Sequence, residues 1–522
     1  MTFHRPSLRA AAAAVTLLLL AACVPGGPTE PAPDGAPDGA PGGTAAPASP
    51  GDPTTMPPAP AGLERFYSQQ PEWTTCEDTF DCAEVEVPLD YSRPEAETIR
   101  LSLIRKRGTD PRGTLLVNPG GPGASGVDLV RASVANTFST ELRSGYDVVG
   151  FDPRGVSRSA PVTCLTDAER DARRASQPDT STPEGLEEVR RAAADYAQAC
   201  ESKTGVSLAF VDTVSAARDL DILRAVNGDA SLNYLGYSYG TKLGATYASL
   251  FPDNVGRMVL DGALDPALSN EEITLGQATA FESEIRAYLA DCLSAPGCPF
   301  DGDVDDALEQ LHRLFADIEE NPLTAADGRV VPIGDFVGGF IVPFYEDALW
   351  PRLSMALAGA LAGDPTEMLA LADAGAGREA DGSYTGNLND AFAAINCLDY
   401  PMTTDLDEQE ADARRLERAS PTIGRYLAYG GTQCEPWPFP PTGTPEPVSA
   451  PGAAPIVVIG TTGDPATPYA WAEALREQLE SSVLVTYKSH GHTAYGRGGE
   501  CITNAVDAYL LDGTVPEDGL TC

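Results

Sequence analysis

Short apolar, β-rich runs recur along the chain at 99–105, 114–118, 147–152, 232–237, 257–260, 455–460 and 483–487, several of them stopping at Gly, Asp or Asn. Stretches with helical spacing of apolar residues separate most of them. Strands alternating with helices predict a parallel sheet covered by helices, with functional residues at the carboxyl ends of the strands. The interval 266–451 breaks this alternation. It shows helical periodicity, as at 304–319 and 351–362, and no strand ladder, so it reads as a helical lid inserted before the last two strands. The expected α/β architecture is therefore a mostly parallel sheet in two parts, 63–265 and 452–522, interrupted by the lid. A folded part of about 460 residues exceeds one ordinary core, which fits an insertion.

Upstream of the sheet the pattern changes. Arg5 and Arg9 precede an apolar stretch at 10–22 that ends in Leu-Ala-Ala-Cys at Cys23. It is too short to span a bilayer and reads as a lipoprotein signal, 1–22, removed ahead of a lipid-modified Cys23; an ordinary cleaved signal is the alternative. Pro, Gly, Ala, Thr and Ser dominate 23–62, which cannot bury enough surface to offset the entropy of ordering and is expected to be a disordered tether. This places the folded part at the extracellular face of the cell membrane, or released from it. The ten cysteines after Cys23 are an even set, which in an exported chain favours disulfides. Cys76 with Cys82, Cys292 with Cys298, and Cys501 with Cys522 are the preferred pairs. A formal net charge of -41, from 35 basic and 76 acidic residues, argues against nucleic acid or an anionic surface as partner. The only membrane contact expected is the lipid on Cys23.

The chemistry starts at Ser238, the centre of GYSYG, which lies between a strand-like run and a helix-like one. A strand, a sharp turn and a helix lift a serine Oγ above the sheet edge, and glycine on both flanks avoids a Cβ collision. The hydroxyl needs a histidine to remove its proton, and the chain has four: His4, His312, His490 and His492. His4 falls in the signal. His312 lies mid-helix in the lid, where a solvated or packing role is expected. Of the pair in SHGHT, His492 is preferred, because Gly491 and the following loop let its ring swing back over the sheet edge. A carboxylate must hold the imidazole in the right tautomer. Asp464 in TTGDPATP fits, with Thr467 and Pro468 as cap and first turn of the next helix; Asp261 and Asp265 compete. The order Ser238, Asp464, His492 is that of the α/β-hydrolase arrangement. A metal site built from His490, His492 and Asp464 would lack further histidine ligands, so no metal and no cofactor is expected. The oxyanion hole would use the N–H of Tyr239 and that of Gly120 or, preferably, Gly121, in LLVNPGGPGASG.

With these residues placed, several stretches carry a resemblance: CAEVEVPLDY at 82–91, VNPGGPGASG, FDPRGVSRS at 151–159, GYSYGT, AINCLDYP at 394–401, GDPATP and GHTAYG. Across 63–522 the chain resembles the exported tripeptidyl aminopeptidases, serine α/β-hydrolases related to prolyl aminopeptidases. Ser157 departs from the pattern, standing where glycine is expected. The resemblance implies a triad of Ser238, Asp464 and His492, and removal of short peptides, tripeptides by the family's habit, from free N-termini through an acyl-enzyme. A carboxylesterase or lipase on the same scaffold is the alternative, and a non-catalytic binding lipoprotein is a third reading. An exopeptidase must also hold the substrate ammonium with a carboxylate, since a desolvated unpaired cation is costly. The lid acids Glu346, Asp347 and Asp399 are the candidates.

Overall fold

The computed structural model describes residues 55–77 and 79–522; the expected signal, Cys23 and the tether as far as residue 54 lie outside the described residues. The strands are β1 (Thr74–Glu77), β2 (Phe80–Pro88), β3 (Thr98–Lys106), β4 (Thr114–Asn118), β5 (Asp147–Phe151), β6 (Leu232–Tyr237), β7 (Val255–Asp261), β8 (Leu323–Thr324), β9 (Val330–Val331), β10 (Ile456–Gly463), β11 (Ser482–His490) and β12 (Leu520–Thr521). Ten of them form one sheet in the order β1-β2-β3-β5-β4-β6-β7-β10-β11-β12. The pairs β1–β2, β2–β3 and β3–β5 are antiparallel. From β5 across to β12 the sheet is parallel.

The central strands are buried on both faces. Leu115, Val117, Leu235, Val259, Val457 and Ile459 pack into one layer. Their alternating neighbours Leu116, Tyr234, Met258, Leu260, Ile456 and Val458 pack into the other. Such strands read as continuous apolar runs, which is why the sequence shows them. In β2 the pattern differs: Ala83, Val85 and Val87 are buried while Glu84 is exposed. That half-buried alternation, and the shortness of β1 and β12, leave these three strands without the continuous apolar run that marks the others.

Between β7 and β10 the chain is helical apart from the β8–β9 hairpin. This insertion has its own core, in which Phe315 meets Phe336 and Phe340 edge-on and Tyr288 meets Trp350. One helix behaves differently. Leu388–Asp399 sends Ala391, Ala394, Ile395 and Leu398 into the core of the sheet domain instead. Two helices from the first part of the sheet domain, Asp167–Ala175 and Pro183–Thr204, brace the insertion through Arg170–Asp390 at 2.9 Å, Arg174–Asp335 at 2.9 Å and Arg190–Glu435 at 3.2 Å.

The three expected disulfides are formed, and Cys164–Cys200 and Cys397–Cys434 complete the set of ten cysteines. The FDPRG loop is held by Arg154, fully buried, whose guanidinium meets both carboxylate oxygens of Asp219 at 2.7 Å and donates to the carbonyls of Pro88, Leu89 and Phe210. Ser157 adopts φ 45°, the left-handed conformation that glycine takes without strain. Its N–H donates to Asn387 Oδ1 at 2.8 Å.

Candidate active site

Strand β6 ends at Tyr237 and the helix Tyr239–Leu250 begins two residues later, so Ser238 alone makes the turn, at φ 56° and ψ -125°. The flanking glycines are sterically required. A Cβ on Gly236 would overlap the Gly240 carbonyl, and one on Gly240 would lie 2.8 Å from Asn118 Oδ1. The Ser238 N–H donates to the carbonyl of Asp261 at 2.9 Å, tying the elbow to the end of β7.

The loop after β4 lies against this elbow. A Cβ on Gly120 would sit 2.8 Å from Ser238 Cβ and 3.1 Å from Tyr239 N. The Gly120 N–H is already spent on Asn118 Oδ1 at 2.9 Å. The N–H groups of Gly121 and Tyr239 meet no acceptor among the described residues, which leaves them able to receive a developing oxyanion.

Asp464 follows β10 and its side chain is fully buried. Oδ1 accepts from the N–H groups of Ala466 and Thr467 at 2.9 Å, and Oδ2 from Thr467 Oγ1 at 2.9 Å and Thr493 N at 3.2 Å. Both oxygens lie 2.9 Å from His492 Nδ1. The Nδ1 proton is thereby directed at the carboxylate, so Nε2 carries the free lone pair; it is buried and has no hydrogen-bond partner among the described residues. A Cβ on Gly262 would come within 3.2 Å of His492 Cε1. Ser238 and the imidazole thus flank the same end of β7. Thr467, expected to cap the next helix, turns its hydroxyl to Asp464; that helix, Tyr469–Gln478, has no side-chain cap.

Asp261, the competing acid, meets the loop after the histidine instead of the imidazole. It accepts from Ala494 N at 3.0 Å and Tyr495 N at 2.7 Å. Burial pushes its carboxyl up to about 6, against the pull of those N–H groups. Asp265 accepts from Gln478 Nε2 at 2.7 Å. His490 binds Glu284, on the insertion's helix Asn270–Ser294, through Nδ1 at 2.7 Å, and burial raises the Glu284 carboxyl. The insertion also reaches His492: the Tyr345 carbonyl accepts from His492 N at 2.9 Å, and the two rings meet edge-on at 5.3 Å. His312 pairs with Thr422 Oγ1 at 2.9 Å.

The candidate ammonium ligands separate. Asp399 is buried, 3.1 Å from Lys242 Nζ, and accepts from Thr213 N at 2.9 Å and from the Thr213 hydroxyl. That hydroxyl lies 2.5 Å from Tyr239 OH, and Lys242 sits 3.8 Å over the Tyr400 ring. The charge of Asp399 is therefore matched inside the protein by Lys242. Glu346 and Asp347 are half-buried, and their carboxylates have no partner among the described residues. Nothing local in the sequence marks Lys242, Tyr345 or Glu284, whose contacts join distant segments.

The family model described as TAP-like protein matches residues 420–522. Serine protease Hip1 of Mycobacterium tuberculosis is 38% identical over 486 residues, 88% of this chain and 92% of its own. Carboxylesterase B of the same organism is 39% identical over 473 residues, 87% and 90% of the two chains. Tripeptidyl aminopeptidase of Streptomyces lividans is 32% identical over 451 residues, 84% and 83%. The elbow, the buried Asp464–His492 pair and likeness along nearly the whole chain agree, and the chain belongs to the tripeptidyl-aminopeptidase-like family of serine α/β-hydrolases.

Proposed function

We propose that this serine hydrolase releases short peptides, tripeptides in the first instance, from the free N-termini of peptides. The observation that carries the reading is an imidazole clamped at Nδ1 by Asp464, its buried Nε2 unpartnered, beside the Ser238 elbow. His492 Nε2 takes the Ser238 proton as Oγ attacks the carbonyl carbon, and the N–H groups of Gly121 and Tyr239 hold the oxyanion. His492 then gives its proton to the leaving amine, and the peptide remains as an ester on Ser238. Water, deprotonated by His492, attacks that ester and restores the serine. Asp464 keeps the ring oriented and stabilises the imidazolium.

With Asp399 neutralised by Lys242, Glu346 is the acid assigned to the substrate ammonium, supported by its half-buried carboxylate without a partner. The ten paired cysteines suit an oxidising compartment, which supports a site of action outside the cell with the chain held by a lipid on Cys23. A second reading, carboxylesterase, is favoured by the relative of that name. Hydrolysis of an unblocked tripeptide anilide and of a short acyl ester, at matched enzyme concentration, separates the two. The peptidase reading requires the anilide to be cut, the N-acetylated anilide to be cut poorly, and both activities to vanish in Ser238→Ala. Ester hydrolysis alone would establish the second reading.

A further inference from the structure

The helix Leu388–Asp399 begins directly on the oxyanion loop. A Cβ on Gly123 would lie 2.8 Å from the Leu388 carbonyl oxygen, and one on Gly121 would lie 3.4 Å from Leu388 Cδ1. Buried polar groups fix this end of the helix. Asn387 donates to the carbonyls of Gly155 and Val162 at 2.8 Å, and Asp390 accepts from Tyr196 OH at 2.9 Å and Cys164 N at 3.1 Å. Yet on its other face Leu388 and Phe392, one helical turn apart, remain 36% and 48% exposed. Large apolar side chains held on a rigid support beside a reaction centre, and left in water, mark a binding surface.

We propose that Leu388 and Phe392 form an apolar subsite for the side chain of the residue whose carbonyl Ser238 attacks. The inference rests on the hydrolase mechanism above and adds a substrate class to it: peptides with a large apolar residue at the cleaved position. An oxyanion bound by the Gly121 N–H lies about 3 Å from that nitrogen. Leu388, whose Cδ1 borders the space beside Gly121, is then within reach of the group attached to the reacting carbon on its acyl side. The leaving amine has to face His492 Nε2 to receive its proton, so it takes another direction.

The test compares kcat/KM for unblocked Ala-Ala-Leu and Ala-Ala-Ala anilides in the wild type, Leu388→Ala and Phe392→Ser, with fluorophosphonate labelling of Ser238 reporting the active fraction of each preparation. The wild type is expected to favour leucine, and either variant to lower that preference about tenfold, the loss typical of missing apolar contacts in a substrate pocket. Equal rates for the two anilides in the wild type, or an unchanged ratio in both variants, would overturn the subsite. If no anilide is cut, the same ratio is taken from hexanoyl and acetyl esters of one alcohol. A hexanoyl preference lost in the variants then supports the subsite while sinking the peptidase reading. No preference, or one the variants leave intact, sinks the subsite.

Discussion

Substitution of Asp399 by asparagine separates a structural acid from a substrate-binding one. In the structure its carboxylate is buried and faces Lys242, which is itself buried and, among the described residues, has only the Tyr400 ring as a further partner for its charge. Burial works against the ammonium, and the Asp399 charge outweighs it, raising the pKa of Lys242 above the usual 10.5. The stabilisation is therefore complete below pH 10.5 and is lost only as pH rises through the folded-state value. Asparagine leaves Lys242 buried and unpaired, which costs about 3–5 kcal/mol. A folded part of about 460 residues has an unfolding entropy on the order of 1 kcal/mol per kelvin, so the melting midpoint of Asp399→Asn should fall by about 3–5 °C. Replacing both partners, as Lys242→Met with Asp399→Asn, should recover most of the loss, because no lone charge remains and the amide oxygen at position 399 still accepts from Thr213 N. Calorimetry of the wild type, both single variants and the double variant supplies the cycle. The preference of each for unblocked over acetylated tripeptide anilides is measured alongside. A variant Asp399→Asn that melts like the wild type but no longer distinguishes the two anilides would refute this assignment and return Asp399 to the substrate.

Asp261 makes a pH-dependent prediction. Its folded-state pKa of about 6 lies above the ordinary 3.8, so the native state retains a proton that the unfolded chain releases between these values. Its contribution is greatest below pH 4 and declines by about 3 kcal/mol as pH rises through 6. Urea unfolding of Asp261→Asn at pH 4 and pH 7 should lack that decline, and parallel pH curves for variant and wild type would contradict it. Arg154→Met strands the fully buried Asp219 carboxylate and should cost about 3–5 kcal/mol in denaturant unfolding, whereas a loss under 1 kcal/mol would mean that the pair contributes little. Ser157→Gly relieves a left-handed serine and should raise stability by about 1 kcal/mol, with a decrease counting against strain at that turn.

What the sequence shows and what it hides follow from the range of the forces involved. The elbow at Ser238 is legible because Gly236 answers a steric contact with Gly240 only four residues on, and β4 and β6 because both of their faces are buried. The assignment of Asp464 and His492 depends on chain order, which topology constrains. Strand β2 is concealed by polar residues on its outer face. The role of Asp399 is hidden because an acid at a helix end looks the same whether it meets solvent, substrate or a lysine from another segment. The grip of Tyr345 on His492, a backbone carbonyl meeting a backbone N–H, carries no side-chain signature.

The roofing helix Leu388–Asp399 is secured at both extremities, by Asn387 and Asp390 near its start and by the Cys397–Cys434 bridge and the Asp399–Lys242 pair near its finish. A helix fastened in this way cannot swing aside without disturbing the Gly121–Gly123 loop it rests on. Any movement that admits a substrate therefore has to come from another part of the insertion, and turnover needs no hinge at this helix.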